Sequence, residues 1–400
     1  QIELGELGED ALSSSQLMVI SPGIPVDAPF TDVVRNAGIP IWSEIELAYH
    51  YGKGKIAAIT GTNGKTTTTA LVGEIVRAHN AKTIVVGNIG IPYTELCDTT
   101  DDDSDTVAEI SSFQLETVID FHPNVSAILN LTPDHLNRHY TFENYGNVKF
   151  SITKNQTMDD VTVLNYDDEH TRAMGEKAKD HCHVVYFSRL EKPAGGVYVE
   201  DGDIILEDGD KKINVLAIKD LKLMGAHNVE NVLAAVGISY YMGVPVDVIR
   251  DVATSFKAVA HRIEYVDTID GVAYYNDSKG TNPDAAIKGI QAMVAPTFLI
   301  GGGYDKGSEY DEWIEAFDGK VKWLVLIGQT AQKIADCAKR HGFNSIIFEE
   351  NLQDAVAYCH ENAVDGDAVL LSPACASWGQ FDNYEQRGDM FKEYVRSYKE

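Results

Sequence analysis

The sequence is poor in cysteine and in basic residues and has no long apolar run, and each shortage excludes a class of protein. Its five cysteines are scattered and form no C-x-x-C pair, which is typical of reduced thiols in the cytoplasm rather than of a disulfide framework. Only 33 Lys and Arg oppose 61 Asp and Glu, and the formal net charge of −28 disfavours binding to nucleic acid or anionic membranes. No apolar run approaches the about 20 residues of a membrane span, so we expect a cytoplasmic protein without membrane insertion.

The size and the hydrophobic pattern indicate a multidomain α/β protein. The 400 residues, of which 44% are hydrophobic, can build two or three domains with sizeable cores. Apolar strands alternate with helical patterns through most of the chain, which predicts parallel sheets covered by helices. Short strand patterns follow one another between residues 184 and 216, and they predict a small hairpin-like insert. The chain starts at Gln1 without an initiator Met, so we expect a further segment to precede it.

The stretch 56–67 has the strongest functional signal, because an apolar strand runs into a glycine-containing turn and then a Thr-rich helix start. In a nucleotide phosphate loop, backbone N–H groups surround the phosphate oxygens, a lysine supplies charge and a hydroxyl coordinates Mg²⁺. Only two residues separate the two glycines here, whereas the commonest loop has four. An ordinary helix start with an exposed lysine is the alternative. The predicted phosphate-binding residues are Gly61, Thr62, Asn63, Gly64, Lys65, Thr66 and Thr67.

Titratable side chains stand beyond this loop, at or near the ends of further strands. Glu109 ends an apolar strand, where a nucleotide-bound Mg²⁺ needs a hard oxygen ligand. His135 follows the next strand and is a candidate metal or substrate residue. Lys149 lies on a helical stretch between apolar neighbours, which suggests that it faces inward. The alternatives are a solvated strand end or helix cap for Glu109, a structural or solvated histidine for His135 and a surface lysine for Lys149.

Polar side chains also cluster at two later helix starts. Asn228 and Asn231 open one helix, where Asn228 is a candidate N-cap and both amides suit an adenine edge. Arg262, Asp277 and Thr281 precede another helix, and Thr281 or the Asn-Pro pair after it can instead cap that helix.

Two glycine- or serine-containing stretches follow strands near the end of the chain. The stretch 301–307 has three consecutive glycines and one basic residue, Lys306, which suits an anion. The stretch 371–381 repeats this arrangement after the final long strand. Cys375 within it is disfavoured as a nucleophile, because the motif contains no matching base.

Taken in this order, these segments resemble those of the Mur ligase family of ATP-dependent amino-acid ligases. The stretch 61–66 is shared by the whole family, whereas 276–282 and 371–377 resemble its D-glutamate-adding branch, and the resemblance covers nearly all the chain. It implies three α/β domains: a Rossmann-like one for a UDP-linked precursor over 1–51, lacking its N-terminal part; a central P-loop ATPase over 52–258; and a C-terminal Rossmann-like one for the amino acid over 259–400.

The resemblance also implies a reaction of peptidoglycan precursor synthesis. ATP would phosphorylate the carboxylate of UDP-N-acetylmuramoyl-L-alanine, and the amine of D-glutamate would attack the resulting acyl phosphate. The implied ligands are these two small-molecule substrates, ATP and two Mg²⁺ ions, and we expect a monomer.

By motif position, the resemblance assigns roles to individual residues. The catalytic residues are Lys65, Glu109, His135 and Lys149. The Mg²⁺ ligands are Thr66, Glu109, His135 and a carbamylated Lys149. The ATP-binding residues beyond the phosphate loop are Asn228, Asn231, Arg262 and Asp277. The substrate-binding residues are Gly23, Asn88, His135, Thr281, Lys306, Ser377, Phe381 and Tyr384.

Other functions remain open at this point. Another ligase of the family or a folylpolyglutamate ligase is possible, although the stretch 371–377 argues against both. Outside the ligases, the alternatives are a P-loop NTPase without ligase activity and a nucleotide-binding regulator without catalysis.

Overall fold

The computed structural model describes residues 8–88, 91–223, 225–257 and 260–399. The chain divides into two compact units, residues 1–257 and residues 258–400. The predicted boundary between residues 258 and 259 lies outside the described residues, as does the start of the chain. The further division of the first unit into domains 1–51 and 52–258 stays a prediction.

The first unit alternates helices and strands, as the sequence predicts. Its helices are α1 (Glu9–Ser14), α2 (Pro29–Asn36), α3 (Glu44–Tyr51), α4 (Lys65–His79), α5 (Tyr93–Leu96), α6 (Ser112–Leu115), α7 (Leu136–His139), α8 (Phe142–Phe150), α9 (Glu169–Ala178), α10 (Ala226–Tyr241) and α11 (Val246–Ser255). Its strands are β1 (Met18–Ile20), β2 (Ile41–Ser43), β3 (Lys55–Thr60), β4 (Thr83–Gly87), β5 (Asp105–Glu109), β6 (Val125–Ile128), β7 (Val161–Asn165), β8 (His183–Ser188), β9 (Gly196–Glu200), β10 (Asp203–Asp208) and β11 (Lys211–Ala217).

Nine of these described strands form one sheet in the order β11-β10-β9-β8-β7-β6-β3-β5-β4. Pairing is parallel from β4 to β9 and antiparallel from β9 to β11. Strands β5, β6 and β7 are buried along their whole length, which is typical of a parallel sheet covered on both faces. The predicted hairpin-like insert is confirmed for β9 to β11, which pair antiparallel and extend the sheet, and is wrong for β8, which belongs to the parallel part.

Before this sheet, β1 and β2 form a small parallel pair. Arg138 donates a hydrogen bond to the Ile24 carbonyl at 2.8 Å, and its guanidinium also contacts the Glu116 carboxylate at 2.6 Å. This partly buried ion pair and the hydrogen bond to Ile24 together connect the turn after β1 to the segment that follows β5.

The second unit contains a second, mostly parallel sheet. Its strands are β12 (Glu264–Ile269), β13 (Val272–Asn276), β14 (Thr297–Gly301), β15 (Val321–Leu326), β16 (Ile346–Phe348) and β17 (Ala368–Leu371). Its helices are α12 (Pro283–Gln291), α13 (Asp311–Glu315), α14 (Ala331–Arg340), α15 (Leu352–Asn362) and α16 (Tyr384–Arg396). The order β12-β13-β17-β14-β15-β16 places only the edge strand β12 antiparallel to its neighbour. Apolar side chains cover both faces of this sheet, and Trp313 and Phe298 are fully buried among them.

Across the described residues, no helix combines the length and the apolar character that crossing a bilayer requires.

Candidate active site

The phosphate loop connects β3 to α4 and is held by the segment just after the neighbouring strand β6 and by Tyr145 of α8. Asn130, just after β6, accepts a hydrogen bond from the Asn63 N–H at 2.8 Å and donates one to the Asn63 carbonyl at 3.1 Å. The Thr62 hydroxyl donates to the Thr132 carbonyl at 3.1 Å and lies 3.2 Å from the Tyr145 hydroxyl. These contacts within the protein hold the loop in place, so the loop is preorganised.

Gly64 is required by close packing against helix α10. Its φ of 83° lies in the left-handed region, which favours glycine. A Cβ atom at this position would also lie 2.2 Å from Asn231 Oδ1. Asn231 in turn lies against the loop and α4, since its Oδ1 accepts a hydrogen bond from the Thr68 hydroxyl at 3.4 Å.

Two lysine ammonium groups converge on this loop. Lys65 Nζ donates to the carbonyls of Gly61 at 3.0 Å and Thr62 at 2.9 Å. Lys149 Nζ donates to the same Gly61 carbonyl at 2.9 Å and lies 4.7 Å from the centre of the Tyr145 ring. Lys149 is only 2% exposed, so its predicted inward orientation is confirmed and the surface alternative is wrong. The Lys65 ammonium at the loop makes it a suitable place for a phosphate.

Glu109 ends β5 and is 1% exposed. Its Oε1 accepts a hydrogen bond from Asn88 Nδ2 at 2.9 Å, whereas its Oε2 is buried without a hydrogen-bond partner among the described residues. A buried carboxylate oxygen without a partner is costly, and a hard divalent cation is the ligand that satisfies it best. The residues around the loop therefore fit a nucleotide-bound Mg²⁺.

His135 directly precedes α7 and is exposed. Its Nε2 lies 3.6 Å from the Asp134 carboxylate, and its ring lies 4.9 Å from that of Phe113. The nearby His139 is buried, with Nε2 3.0 Å from the Ser112 hydroxyl. Burial lowers the pKa of His139 to about 4, so this ring is neutral at pH 7.

The two amides at the start of α10 contact each other. Asn231 Nδ2 donates to Asn228 Oδ1 at 3.1 Å. The helix begins at Ala226 after Gly225, so the prediction of Asn228 as the N-cap is wrong. Gly225 has a φ of 93°, a conformation that glycine adopts readily. It can therefore stand directly before the helix, which begins two residues before Asn228.

In the second unit, Asp277 follows β13 and is fully buried. Its Oδ2 accepts a hydrogen bond from the Ser372 hydroxyl at 2.7 Å, and its Oδ1 accepts one from the Ile263 N–H at 3.3 Å. Burial raises the pKa of Asp277 from 3.8 to about 6, although the positive charge of Arg262 opposes this rise. Of the two candidate caps of α12, Asn282 is the N-cap, since its Oδ1 accepts a hydrogen bond from the Ala285 N–H at 2.8 Å.

This raised pKa predicts a pH-dependent stability. Because the folded-state pKa lies above the unfolded one, the folded protein binds more protons between about pH 4 and pH 6. Stability therefore falls as pH rises through this window, by up to about 3 kcal/mol for this one group. Urea unfolding at several pH values should show that Asp277→Asn gains stability relative to the wild type between pH 4 and pH 6. Parallel pH profiles for the two proteins would contradict the assignment.

The remaining predicted residues of this unit lie on three loops and at the start of α16. Lys306 is exposed, Ser377 is 4% exposed and Thr281 and Phe381 are half-buried. Tyr384 is the first residue of α16, and burial raises the pKa of its hydroxyl to about 12.

Comparisons with known proteins decide the family. Residues 59–239 match the Mur ligase middle domain, and residues 261–375 match the Mur ligase, glutamate ligase domain. A UDP-N-acetylmuramoylalanine--D-glutamate ligase of Lachnospira eligens is 57% identical over 99% of this chain and 88% of its own length. The enzyme of the same name from Clostridioides difficile is 49% identical over 99% of this chain and 87% of its own length. This chain belongs to the Mur ligase family.

Solved structures of the Mur ligase family share the fold at low sequence identity. The MurF ligase of Thermotoga maritima in complex with ADP superposes with a TM-score of 0.60 at 17% identity, covering 96% of this chain and 97% of its own. The UDP-N-acetylmuramate-alanine ligase MurC of the same organism gives a TM-score of 0.59 at 20% identity, covering 96% and 85%. The predicted α/β class, with a parallel-rich central sheet and a C-terminal sheet domain, is confirmed.

Within this Mur ligase, the structure brings the phosphate loop, Asn231 and Lys149 together by direct contacts, and it joins Asn88 to Glu109. The roles of all predicted site residues stay predictions. Sequence reasoning did not single out Asn130, Tyr145 or Arg387. Arg387 is buried and donates to the Ser278 hydroxyl at 2.9 Å and to the Cys375 carbonyl at 3.2 Å. Asn130 could have been noticed as a polar residue directly after a buried strand, whereas no local signal marked the other two.

Proposed function

We propose that this protein joins D-glutamate to UDP-N-acetylmuramoyl-L-alanine, with ATP converted to ADP and phosphate. The observation that carries the proposal is the preorganised loop beside the unpartnered Glu109 oxygen, in a chain whose relatives have the D-glutamate ligase name. A monomeric state and a cytoplasmic location stay predictions.

The proposed chemistry follows from the weakness of a carboxylate as an electrophile. The terminal carboxylate of the precursor attacks the γ-phosphorus of ATP, the bond to the bridging oxygen breaks, and ADP leaves. The D-glutamate amine then attacks the carbonyl carbon of the acyl phosphate, and phosphate is expelled with loss of a proton from the amine. In the first step two anions approach each other, so Lys65 at the loop stabilises the developing negative charge. Bound Mg²⁺ supplies further charge neutralisation, and Thr66, Glu109 and His135 are the proposed ligands.

We propose further roles for residues of both units, within the same reaction. Arg262 and Asp277 would contact ATP, and Thr281, Lys306, Ser377, Phe381 and Tyr384 would bind D-glutamate. Asn228 and Asn231 would contact the adenine, and Gly23 and Asn88 the UDP-linked precursor. Two observations support this proposal. Lys306 is exposed, so its ammonium group can reach a carboxylate, and Ser377 lies on the loop after β17, which is hydrogen-bonded to the loop that contains Lys306.

We also propose that Lys149 reacts with CO₂ to form a carbamate, with release of one proton. A carbamate offers the anionic oxygen that a hard cation prefers, whereas an ammonium group repels it. The reaction needs the neutral amine, which the buried position of Lys149 favours.

The test of the function is product formation by the full-length protein with separate amino acids. With ATP, Mg²⁺ and UDP-N-acetylmuramoyl-L-alanine, D-glutamate should release phosphate and give an amide product detectable by mass spectrometry. L-glutamate and meso-diaminopimelate should react at least about 100-fold more slowly, since the polar groups that bind each carboxylate are left unpaired by the wrong substrate. Comparable product from either competitor, or phosphate release without any amide, would overturn the proposal.

A further inference from the structure

Two loops at the carboxyl ends of β14 and β17 are joined by backbone and aromatic contacts. The Tyr304 N–H donates to the Ala376 carbonyl at 2.9 Å, and the two residues form an isolated antiparallel bridge. Gly303 permits this approach, because a Cβ atom there would lie 2.4 Å from the Ala376 carbonyl oxygen. The Tyr304 ring packs edge-on against Trp378, with ring centres 5.7 Å apart. The orientation of Trp378 is therefore supported from the opposite loop.

Lys306 lies against the face of Trp378 instead of a carboxylate. Its Nζ is 4.9 Å from the centre of the Trp378 ring, and no carboxylate oxygen of the described residues lies within the 4.0 Å of an ion pair. The neighbouring Asp305 is directed elsewhere, since its Oδ1 accepts from the Gly307 N–H at 2.7 Å and lies 4.0 Å from Lys333 Nζ. This is notable in a chain of net charge −28, where many other lysines contact Asp or Glu.

An aromatic face and a carboxylate hold an ammonium group in different ways. A carboxylate neutralises the charge and must be displaced before another anion can bind. The ring attracts the cation through its quadrupole, so the charge remains available to an incoming anion. Trp378 is 55% exposed and Tyr304 is 41% exposed, so this aromatic pair contributes little to the core, and a role toward a ligand accounts for its exposure better.

We infer that Trp378 is a positioning residue, which holds the Lys306 ammonium extended and unneutralised for a carboxylate of the amino-acid substrate. The inference rests on the proposed function, in which Lys306 binds D-glutamate. Trp378 acts through Lys306, and Tyr304 keeps the indole ring in place.

The experiment measures steady-state kinetics of the full-length enzyme and of Trp378→Leu, with ATP and the UDP-linked precursor saturating. An exposed cation–π contact corresponds to about a 2- to 5-fold change in binding, so KM for D-glutamate should rise by about this factor. The kcat and KM for ATP should not change. Trp378→Phe keeps an aromatic face and should recover most of the affinity. Tyr265→Leu, which removes another exposed aromatic ring of the same unit, is the matched control and should behave like the wild type.

A double-mutant cycle separates positioning from other roles. In a Lys306→Met background, Trp378→Leu should cause no further rise in KM for D-glutamate. The same rise in both backgrounds would mean that Trp378 acts independently of Lys306, and an unchanged KM in the single variant would mean that it does not act at all. A parallel change in KM for ATP would indicate a general structural defect; each of these three results overturns the inference. A wild-type enzyme that makes no amide from D-glutamate overturns the proposed function itself, and the inference with it.

Discussion

Lys65→Ala should lower kcat by about 10² to 10³-fold while the protein stays folded. The Lys65 ammonium lies at the phosphate loop, where it donates hydrogen bonds to the Gly61 and Thr62 carbonyls. This ammonium group is in position to stabilise the negative charge that develops during phosphoryl transfer. Losing such a group typically costs about 3 to 4 kcal/mol of transition-state stabilisation. Phosphate release in the presence of all three substrates measures the loss.

The fold should survive, because Lys65 is only half-buried and its described hydrogen bonds are made to the loop itself. Circular dichroism and the thermal midpoint check this directly. Lys53→Ala is the matched control, since Lys53 is an exposed lysine before the same strand β3, and its turnover should equal that of the wild type. Near-normal turnover in a folded Lys65→Ala protein would show that the loop does not bind the transferred phosphate.

Lys149→Ala should be nearly inactive and should recover part of its activity in formate or acetate. The wild-type side chain is buried against the Gly61 carbonyl, the Thr60 hydroxyl and the Tyr145 ring. Removing it deletes the oxygen ligand that the proposed carbamate supplies, and a small carboxylate can enter the vacated space with the same charge and the same type of oxygen. Turnover measured against formate concentration tests this prediction.

Lys149→Arg separates the carbamate from simple positive charge. A guanidinium group keeps the charge but stays protonated and does not form a carbamate, so this variant should be inactive and insensitive to formate. With ¹³C-labelled bicarbonate, the wild type should show a carbamate carbon resonance that Lys149→Arg lacks. Activity of Lys149→Arg close to that of the wild type, or no labelled carbon in an active wild type, would contradict carbamylation.

The predicted strand, glycine turn and helix start over 56–67 are confirmed as β3, the loop after it and α4, because the three signals are adjacent along the chain. The binding of phosphate by this loop stays a prediction. The position of Glu109 at a strand end was also readable from the local pattern. The local pattern did not show that Glu109 Oε2 lacks a partner or that Asn88 donates a hydrogen bond to Glu109, because both depend on the pairing between β4 and β5. Asn130 was missed for a similar reason: it contacts the loop because β6 lies directly beside β3.

Errors in the predicted elements also have physical causes. Strand β12 was not predicted, because it is an edge strand with a single buried residue and gives no clear apolar signal. Strand β8 was placed in an insert, although it pairs with β7 in the main sheet. The pattern of its residues indicates a strand but contains no information about its neighbour.

By itself, therefore, the sequence determined the α/β class, the order of most elements, the strand–loop–helix unit of β3 and α4 and the likeness to the Mur ligase family. These depend on local periodicity, on turn chemistry and on short motifs, all of which act over a few residues. Only the tertiary structure decided that Lys149 is buried against Gly61, 88 residues earlier in the chain, and that Lys306 lies on Trp378. Such contacts depend on strand order and on packing between distant segments, and the local sequence pattern does not identify a residue's distant partner.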